Sequence, residues 1–172
     1  QNNNVNSNEG SVLHLNISSD VNIYDCDFTD CGISEKGSVI FLNGEKVSIS
    51  NITIKFTQEN RSSCGIEINS FSEIEFTNNS FICCHSNSFG GGIRININSK
   101  ENNSTIHTFE NLSFERCYAK RGSAIYLNET SINDNIEIIN CTFNKNKASQ
   151  HGGAIFIENI KSITINDCLF NE

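Results

Sequence analysis

A six-residue pattern occurs six times along this chain, and each copy brings a second pattern behind it. Gly10–Leu15 (GSVLHL) is repeated at Gly37–Leu42, Ser63–Ile68, Gly90–Ile95, Gly122–Leu127 and Gly152–Ile157, at steps of 27, 26, 27, 32 and 30 residues. The follower is Val21–Phe28 (VNIYDCDF), repeated at Val47–Ile54, Ile74–Phe81, His107–Phe114, Ile136–Phe143 and Ile163–Phe170. A unit of this size cannot bury an apolar face by itself. Neighbouring units must stack, and at least three are needed.

Both patterns alternate apolar and polar residues, the period of a strand with one buried face. In the first, one inward column reads Leu13, Ile40, Ile66, Ile93, Ile125 and Ile155, and a second reads Leu15, Leu42, Ile68, Ile95, Leu127 and Ile157. In the second pattern the alternation changes phase at one position, always Asn or Asp: Asp25, Asn51, Asn78, Asn111, Asn140 and Asp167. A phase change needs a bend, and these two residue types tolerate the left-handed backbone that a bend demands. Each unit therefore reads as three strands: one led by Gly, one before the Asn and a short one after it. Stacked bends predict a ladder of Asn side chains, each bonded to the next coil.

Alternatives fit less well. Frequent Ile and Val, with many Asn and Gly, oppose a helical repeat. No two-residue Asn-Gly or Asp-Gly turn joins two of these strands, which argues against a hairpin sandwich. The expected fold is all-β: a right-handed, single-stranded parallel β-helix of about six coils of 26–32 residues. Residues 1–172 form one solenoid segment, and further coils are expected at one or both ends. The longest insertion, about Asn96–Ile106 in the fourth coil, is polar and is expected to project into solvent.

Charge and apolar runs bound the partners. A formal net charge of −8 argues against nucleic acid and anionic membrane surfaces. No apolar run approaches the roughly 20 residues that span a bilayer, so this segment is not expected to insert directly into a membrane.

The repeats also carry a family resemblance. Gly152-Gly153-Ala154-Ile155, preceded by Phe143-Asn144-Lys145-Asn146, resembles the GGAI and FxxN pair of chlamydial polymorphic membrane proteins, repeats also found in surface proteins of some protozoan parasites. All six coils keep the register, but the match is literal only in the last two. Elsewhere the first motif loosens to GSVL, GSVI, CGIE, GGIR and GSAI. The second becomes FTDC at Phe28–Cys31, FICC at Phe81–Cys84 and FERC at Phe114–Cys117, with Cys in place of Asn. The resemblance implies an extracellular or cell-surface, adhesin-like passenger domain and implies no catalytic residues.

The eight cysteines largely follow the lattice. Cys26, Cys141 and Cys168 share the position after the bend, and Cys31, Cys84 and Cys117 share the position three beyond the Phe slot. Cys64 and Cys83 lie off these columns. The pairs Cys141/Cys168 and Cys84/Cys117 occupy neighbouring coils, where Cα atoms about 5 Å apart are within disulfide range. Two readings stand: small thiols filling a narrow core, or cross-coil disulfides. Cys83-Cys84-His85 lacks the ligand number and spacing of a structural zinc site, so neither metal nor cofactor is expected. Asn-linked glycan acceptor triplets begin at Asn16, Asn51, Asn60, Asn78, Asn102, Asn103, Asn111, Asn128 and Asn140. Of these, Asn51, Asn78, Asn111 and Asn140 are bend residues. Asn16, Asn60, Asn102, Asn103 and Asn128 are expected in loops or at loop edges.

The outward column of the first strand is where a ligand would meet this fold: His14, Phe41, Glu67, Arg94, Tyr126 and Phe156. Phe41, Tyr126 and Phe156 on a flat sheet suit a sugar ring or a partner's apolar patch, unless a loop folds over them. Glu67 beside Arg94 reads as charge complementarity across two strands rather than as an acid–base pair. Asp25, Asp27 and Asp30 cluster only in sequence. The expected role is non-catalytic: adhesin-like binding or scaffolding, with a carbohydrate or a host or cell-surface protein as partner. The competing reading is a carbohydrate-active β-helix, a polysaccharide lyase or glycoside hydrolase, which needs carboxylates paired on one face.

Overall fold

The computed structural model describes residues 12–31, 37–57, 63–69, 72–97, 104–129 and 134–172. Its architecture is a parallel β-solenoid, with no helix among the described residues, built from three six-stranded sheets. The first sheet stacks Leu13–Asn16, Ser38–Asn43, Cys64–Asn69, Ile93–Ile97, Ile125–Glu129 and Ile155–Glu158. The second stacks Val21–Tyr24, Lys46–Ser50, Glu73–Thr77, Ile106–Glu110, Asn135–Ile139 and Ser162–Asn166. The third is the narrowest, three residues per strand, from Asp27–Thr29 to Leu169–Asn171. Every strand pairs with its counterpart one coil away, so each sheet contains strands one repeat apart in sequence.

The register is the one the repeats require. Leu13 pairs with Ile40, Ile40 with Ile66, Ile66 with Ile93, Ile93 with Ile125 and Ile125 with Ile155. A shift of one residue would turn every inward Ile to solvent, which is why the apolar pattern alone pins the stacking. Inside, the third sheet lines up Phe81, Phe114, Phe143 and Phe170, with ring centroids 4.9, 5.3 and 4.7 Å apart and planes within 9°. Rings repeating at the inter-strand spacing are forced into this offset stack, which adds to the burial energy of each. Gly92 faces that column: a Cβ there would come 2.7 Å from Cδ1 of Phe114, so any side chain displaces the ring.

All six Asn and Asp bend residues have positive φ, between 51° and 57°. Their side chains form the expected ladder in part. Asn51 Nδ2 donates to Asp25 Oδ1 at 3.1 Å, Asn78 Nδ2 to Asn51 Oδ1 at 3.3 Å, and Asn140 Nδ2 to Asn111 Oδ1 at 2.6 Å. Asp167 has no amide to donate, and it instead accepts from Asn166 Nδ2 at 3.0 Å.

Three features differ from the sequence expectation. First, a second bend follows the third strand, with positive φ at Asp30, Cys83, Arg116 and Lys145. Beyond it the fourth and fifth coils carry a fourth strand each, Tyr118–Arg121 and Lys147–His151, which pair in parallel. Second, a further Asn ladder closes the first sheet. Asn43 Nδ2 reaches Asn16 Oδ1 at 3.0 Å, Asn96 reaches Asn69 at 2.8 Å, and Asn159 reaches Asn128 at 3.1 Å. Asn16 ends its strand and Asn128 is next to last in its own, at the loop edges expected of them, and both hold ladder bonds. Third, Asn96 and Ile106 belong to strands, so the insertion between them is shorter than expected. Its residues 98–103, like Gly10 and Asn60, lie outside the described residues.

The inner face of the last coil is open. Ile163, Ile165 and Phe170 are 42–50% exposed, where their counterparts one coil earlier, Ile136, Ile138 and Phe143, are buried.

Candidate functional site

The outward column of the first sheet forms as expected, with His14 opposite Phe41, Phe41 opposite Glu67, Glu67 opposite Arg94, Arg94 opposite Tyr126, and Tyr126 opposite Phe156. Its members are not equally available. His14 and Phe41 stack with centroids 4.7 Å apart. Arg94 Nη1 lies 3.4 Å from Glu67 Oε1, an ion pair across adjacent coils.

Tyr126 corrects the picture of an open aromatic strip. It is only 4% exposed. Phe89, from the segment leading into Gly90, stacks on its ring at 4.7 Å, and Phe156 stacks on it at 5.6 Å with planes 3° apart. The Arg121 guanidinium sits over both outer rings, 5.6 Å from the Phe89 centroid and 5.4 Å from that of Phe156. Arg94 also lies 6.0 Å from the Phe89 ring. A cation over the negative face of an aromatic ring is attracted by its quadrupole, so these contacts hold the cover in place. Burial and the Glu158 carboxylate, 3.3 Å from the hydroxyl, push the Tyr126 phenol above its ordinary range. No sugar ring can stack on Tyr126 in this arrangement. Phe41 and Phe156 remain half-buried.

On the outward face of the first sheet the carboxylates do not converge; Asp20, Glu73 and Glu75 gather instead on the second sheet around Lys46, which is ion-paired with Glu73. Glu67 is tied to Arg94, and Glu158 is reached only three coils further on. Three inter-strand steps of about 4.8 Å put them about 14 Å apart. That exceeds the roughly 5–10 Å separating the two carboxyl groups of a glycoside hydrolase. Asp30 accepts from the backbone N–H and hydroxyl of Thr57 at 2.8 and 2.6 Å, and Asp25 serves the Asn ladder. Both do structural work.

Sequence reasoning missed one buried titratable pair. His107 and Asp134 are 0% and 1% exposed, with Nε2 3.5 Å from Oδ2. His107 stands in a column otherwise held by Val and Ile. Its Nδ1 accepts the Ile74 N–H at 3.2 Å, so the proton of the neutral ring is on Nε2, facing Asp134. Asp134 Oδ1 accepts the Thr105 N–H at 2.8 Å. Burial pushes the His107 pKa down, against the opposing pull of Asp134. Neither residue reaches solvent, so the pair fixes the chain rather than moving protons for a substrate.

All eight cysteines are free. Their chemistry is that of backbone bridges. Cys141 Sγ accepts the Leu112 N–H at 3.4 Å and donates to Phe109 O at 3.4 Å. Cys168 does the same one coil later, accepting from Cys141 N at 3.4 Å and donating to Ile138 O at 3.5 Å. In the third coil Asn79 occupies this slot, taking the Ile52 N–H at 3.0 Å and giving to Ile49 O at 2.8 Å. Asn146 plays the same part after the second bend, with Cys117 N at 2.9 Å and Phe114 O at 3.0 Å. In the FxxN slot the cysteines keep the donor half of this part: Cys117 Sγ donates to Phe81 O at 3.7 Å and Cys84 Sγ to Ile54 O at 3.7 Å. Cys84 and Cys117 are fully buried in adjacent coils. Burial first, then the neighbouring Cys117 thiol, push the Cys84 thiol well above its ordinary range. Among the described residues no group of three or more His, Cys, Asp or Glu side chains is arranged to hold a metal ion.

Comparison of the chain with protein-family models, with curated proteins and with solved structures finds no match.

Proposed function

We propose that this chain is a non-catalytic β-solenoid of the extracellular space or cell surface, acting as an adhesin-like binding module or scaffold. The single observation that carries the reading is the fate of the outward column. Its one carboxylate, Glu67, is neutralised by Arg94, and Tyr126 is used up in stacking, so the face supplies rigidity rather than an acid–base pair. The coils are locked by side-chain ladders at two corners, a frame suited to presenting surfaces without moving. The likeness of GGAI and FxxN to chlamydial polymorphic membrane proteins supports a surface location, and a carbohydrate or a host or cell-surface protein is the partner class.

The test is incubation with acidic and neutral polysaccharides, reading chain length by mass spectrometry and binding by co-sedimentation. Binding without shortening is expected. Shortened chains that vanish in Glu67→Gln would replace this reading with a carbohydrate-active enzyme centred on Glu67 and Arg94.

A further inference from the structure

The chain is acidic overall, yet three of its twelve Lys and Arg residues, Arg116, Lys145 and Lys147, gather around one cleft on two adjacent coils. The second bend and the fourth strand, neither of them expected from the sequence, bring them together. Positive φ at Cys83, Arg116 and Lys145 aligns these three as one column, linked by Cys83 N to Glu115 O at 2.8 Å and Arg116 N to Asn144 O at 2.9 Å. Two residues on, His85, Tyr118 and Lys147 align as a second column through parallel bridges. Between the columns lies an open cleft of about 350 Å³ lined by Cys83, His85, Arg116, Cys117, Tyr118, Lys145 and Lys147. None of the seven is a carboxylate. Arg116, Lys145 and Lys147 are exposed, and the Tyr118 ring tilts against His85 at 5.9 Å. Arg116 also meets Glu115 at 3.4 Å, a mostly exposed contact that a ligand anion can replace at little cost.

We infer that this cleft binds an acidic glycan, through a sugar unit carrying a carboxylate or sulfate. The inference rests on the adhesin-like reading and names its site and ligand class. The volume falls at the small end for ligand sites, enough for one or two sugar units. Tyr118 offers a ring face and His85 a hydrogen-bonding edge, while three cations from two coils surround the place where an anionic substituent would sit. Charge argues for a sugar over nucleic acid. The basic footprint spans only about two coils, roughly 10 Å. A longer, uniformly charged strand would run onto a surface whose net charge is negative, whereas an acidic glycan bears its charges at intervals.

The experiment titrates the full chain with a sulfated hexasaccharide, an oligogalacturonate, neutral cellohexaose, a dT10 oligonucleotide and a polyglutamate peptide. One or both acidic sugars should bind and weaken as salt rises, which also separates sulfate from carboxylate recognition. Lys145→Gln/Lys147→Gln should lose at least about tenfold in affinity, the loss of one charge-assisted hydrogen bond. Lys46→Gln, which breaks the ion pair with Glu73 on the second sheet, should change nothing. Circular dichroism confirms that each variant keeps its sheet content. Acidic-sugar binding that ignores the double substitution would sink the cleft while leaving the adhesin reading in place. Equal affinity for dT10 or polyglutamate would overturn the glycan assignment, as would failure of both acidic sugars to bind. Cleavage of a bound sugar would keep the cleft and overturn the non-catalytic reading.

Discussion

Asn140 donates its side-chain amide to Asn111 Oδ1 at 2.6 Å, from one coil to the one before it, while both residues hold a positive φ. The two facts are separable by substitution. Ala at 140 loses the bond and strains the backbone, whereas Gly loses only the bond. Asn140→Ala should cost about 2–3 kcal/mol and Asn140→Gly about 1 kcal/mol. Urea midpoints would show it, and equal losses would mean that the backbone conformation carries no weight.

The inner Phe column predicts a larger effect. Phe114 is fully buried between Phe81 and Phe143, at 4.9 and 5.3 Å. Phe114→Ala opens a cavity in the middle of a continuous stack and should cost about 3–5 kcal/mol. Phe170→Ala, at the half-exposed end of the same stack, should cost much less. Thermal denaturation of the two variants makes the comparison, and similar losses would contradict the stack as a source of stability.

These elements show which parts of the fold can be read from residues alone. The Leu and Ile columns and the six bends were visible because one residue class fills each slot, so register and phase follow from the pattern. The second bend was hidden because Asp30, Cys83, Arg116 and Lys145 share a backbone conformation but no chemistry. Only the three-residue spacing from Phe81 to Cys84, Phe114 to Cys117 and Phe143 to Asn146, against two elsewhere, marks it. The ladder of Asn16, Asn43, Asn69, Asn96 and Asn128 was present as an Asn after each Leu or Ile, obscured by the abundance of Asn. Phe89 over Tyr126 had no signal at all, since that contact depends on how one connecting segment folds back.

His107 gives the chain a stability that depends on pH. Its folded pKa lies below the ordinary value because burial disfavours the charged ring, and the nearby Asp134 and Glu73 offset this only in part. The folded state therefore binds fewer protons than the unfolded one. Stability is complete above about pH 6.5 and falls as pH drops through and below that value. His107→Gln cannot titrate and should flatten the change in urea midpoint between pH 7.5 and 5. An unaltered slope in that variant would assign the dependence to other groups.

Cysteine recurs in this core as free thiols that bridge backbone groups. Cys141 is buried and gives the Leu112 amide its acceptor, and burial pushes its thiol up to about 12, so it stays protonated and able to donate. If its use is this bridge, Cys141→Ala should cost about 1–3 kcal/mol, because a buried N–H is left without a partner. Cys141→Asn should recover most of the loss, since Asn79 makes the same two bonds in the equivalent slot. Free thiols also predict a labelling pattern. All eight cysteines should react with a maleimide in denaturant without reductant, while in the native chain half-buried Cys26, Cys31 and Cys168 react ahead of Cys64, Cys84, Cys117 and Cys141. Fewer than eight labels in denaturant would reveal cross-coil disulfides instead. In that case the loss in Cys141→Ala would measure a severed covalent link, and Asn could not restore it.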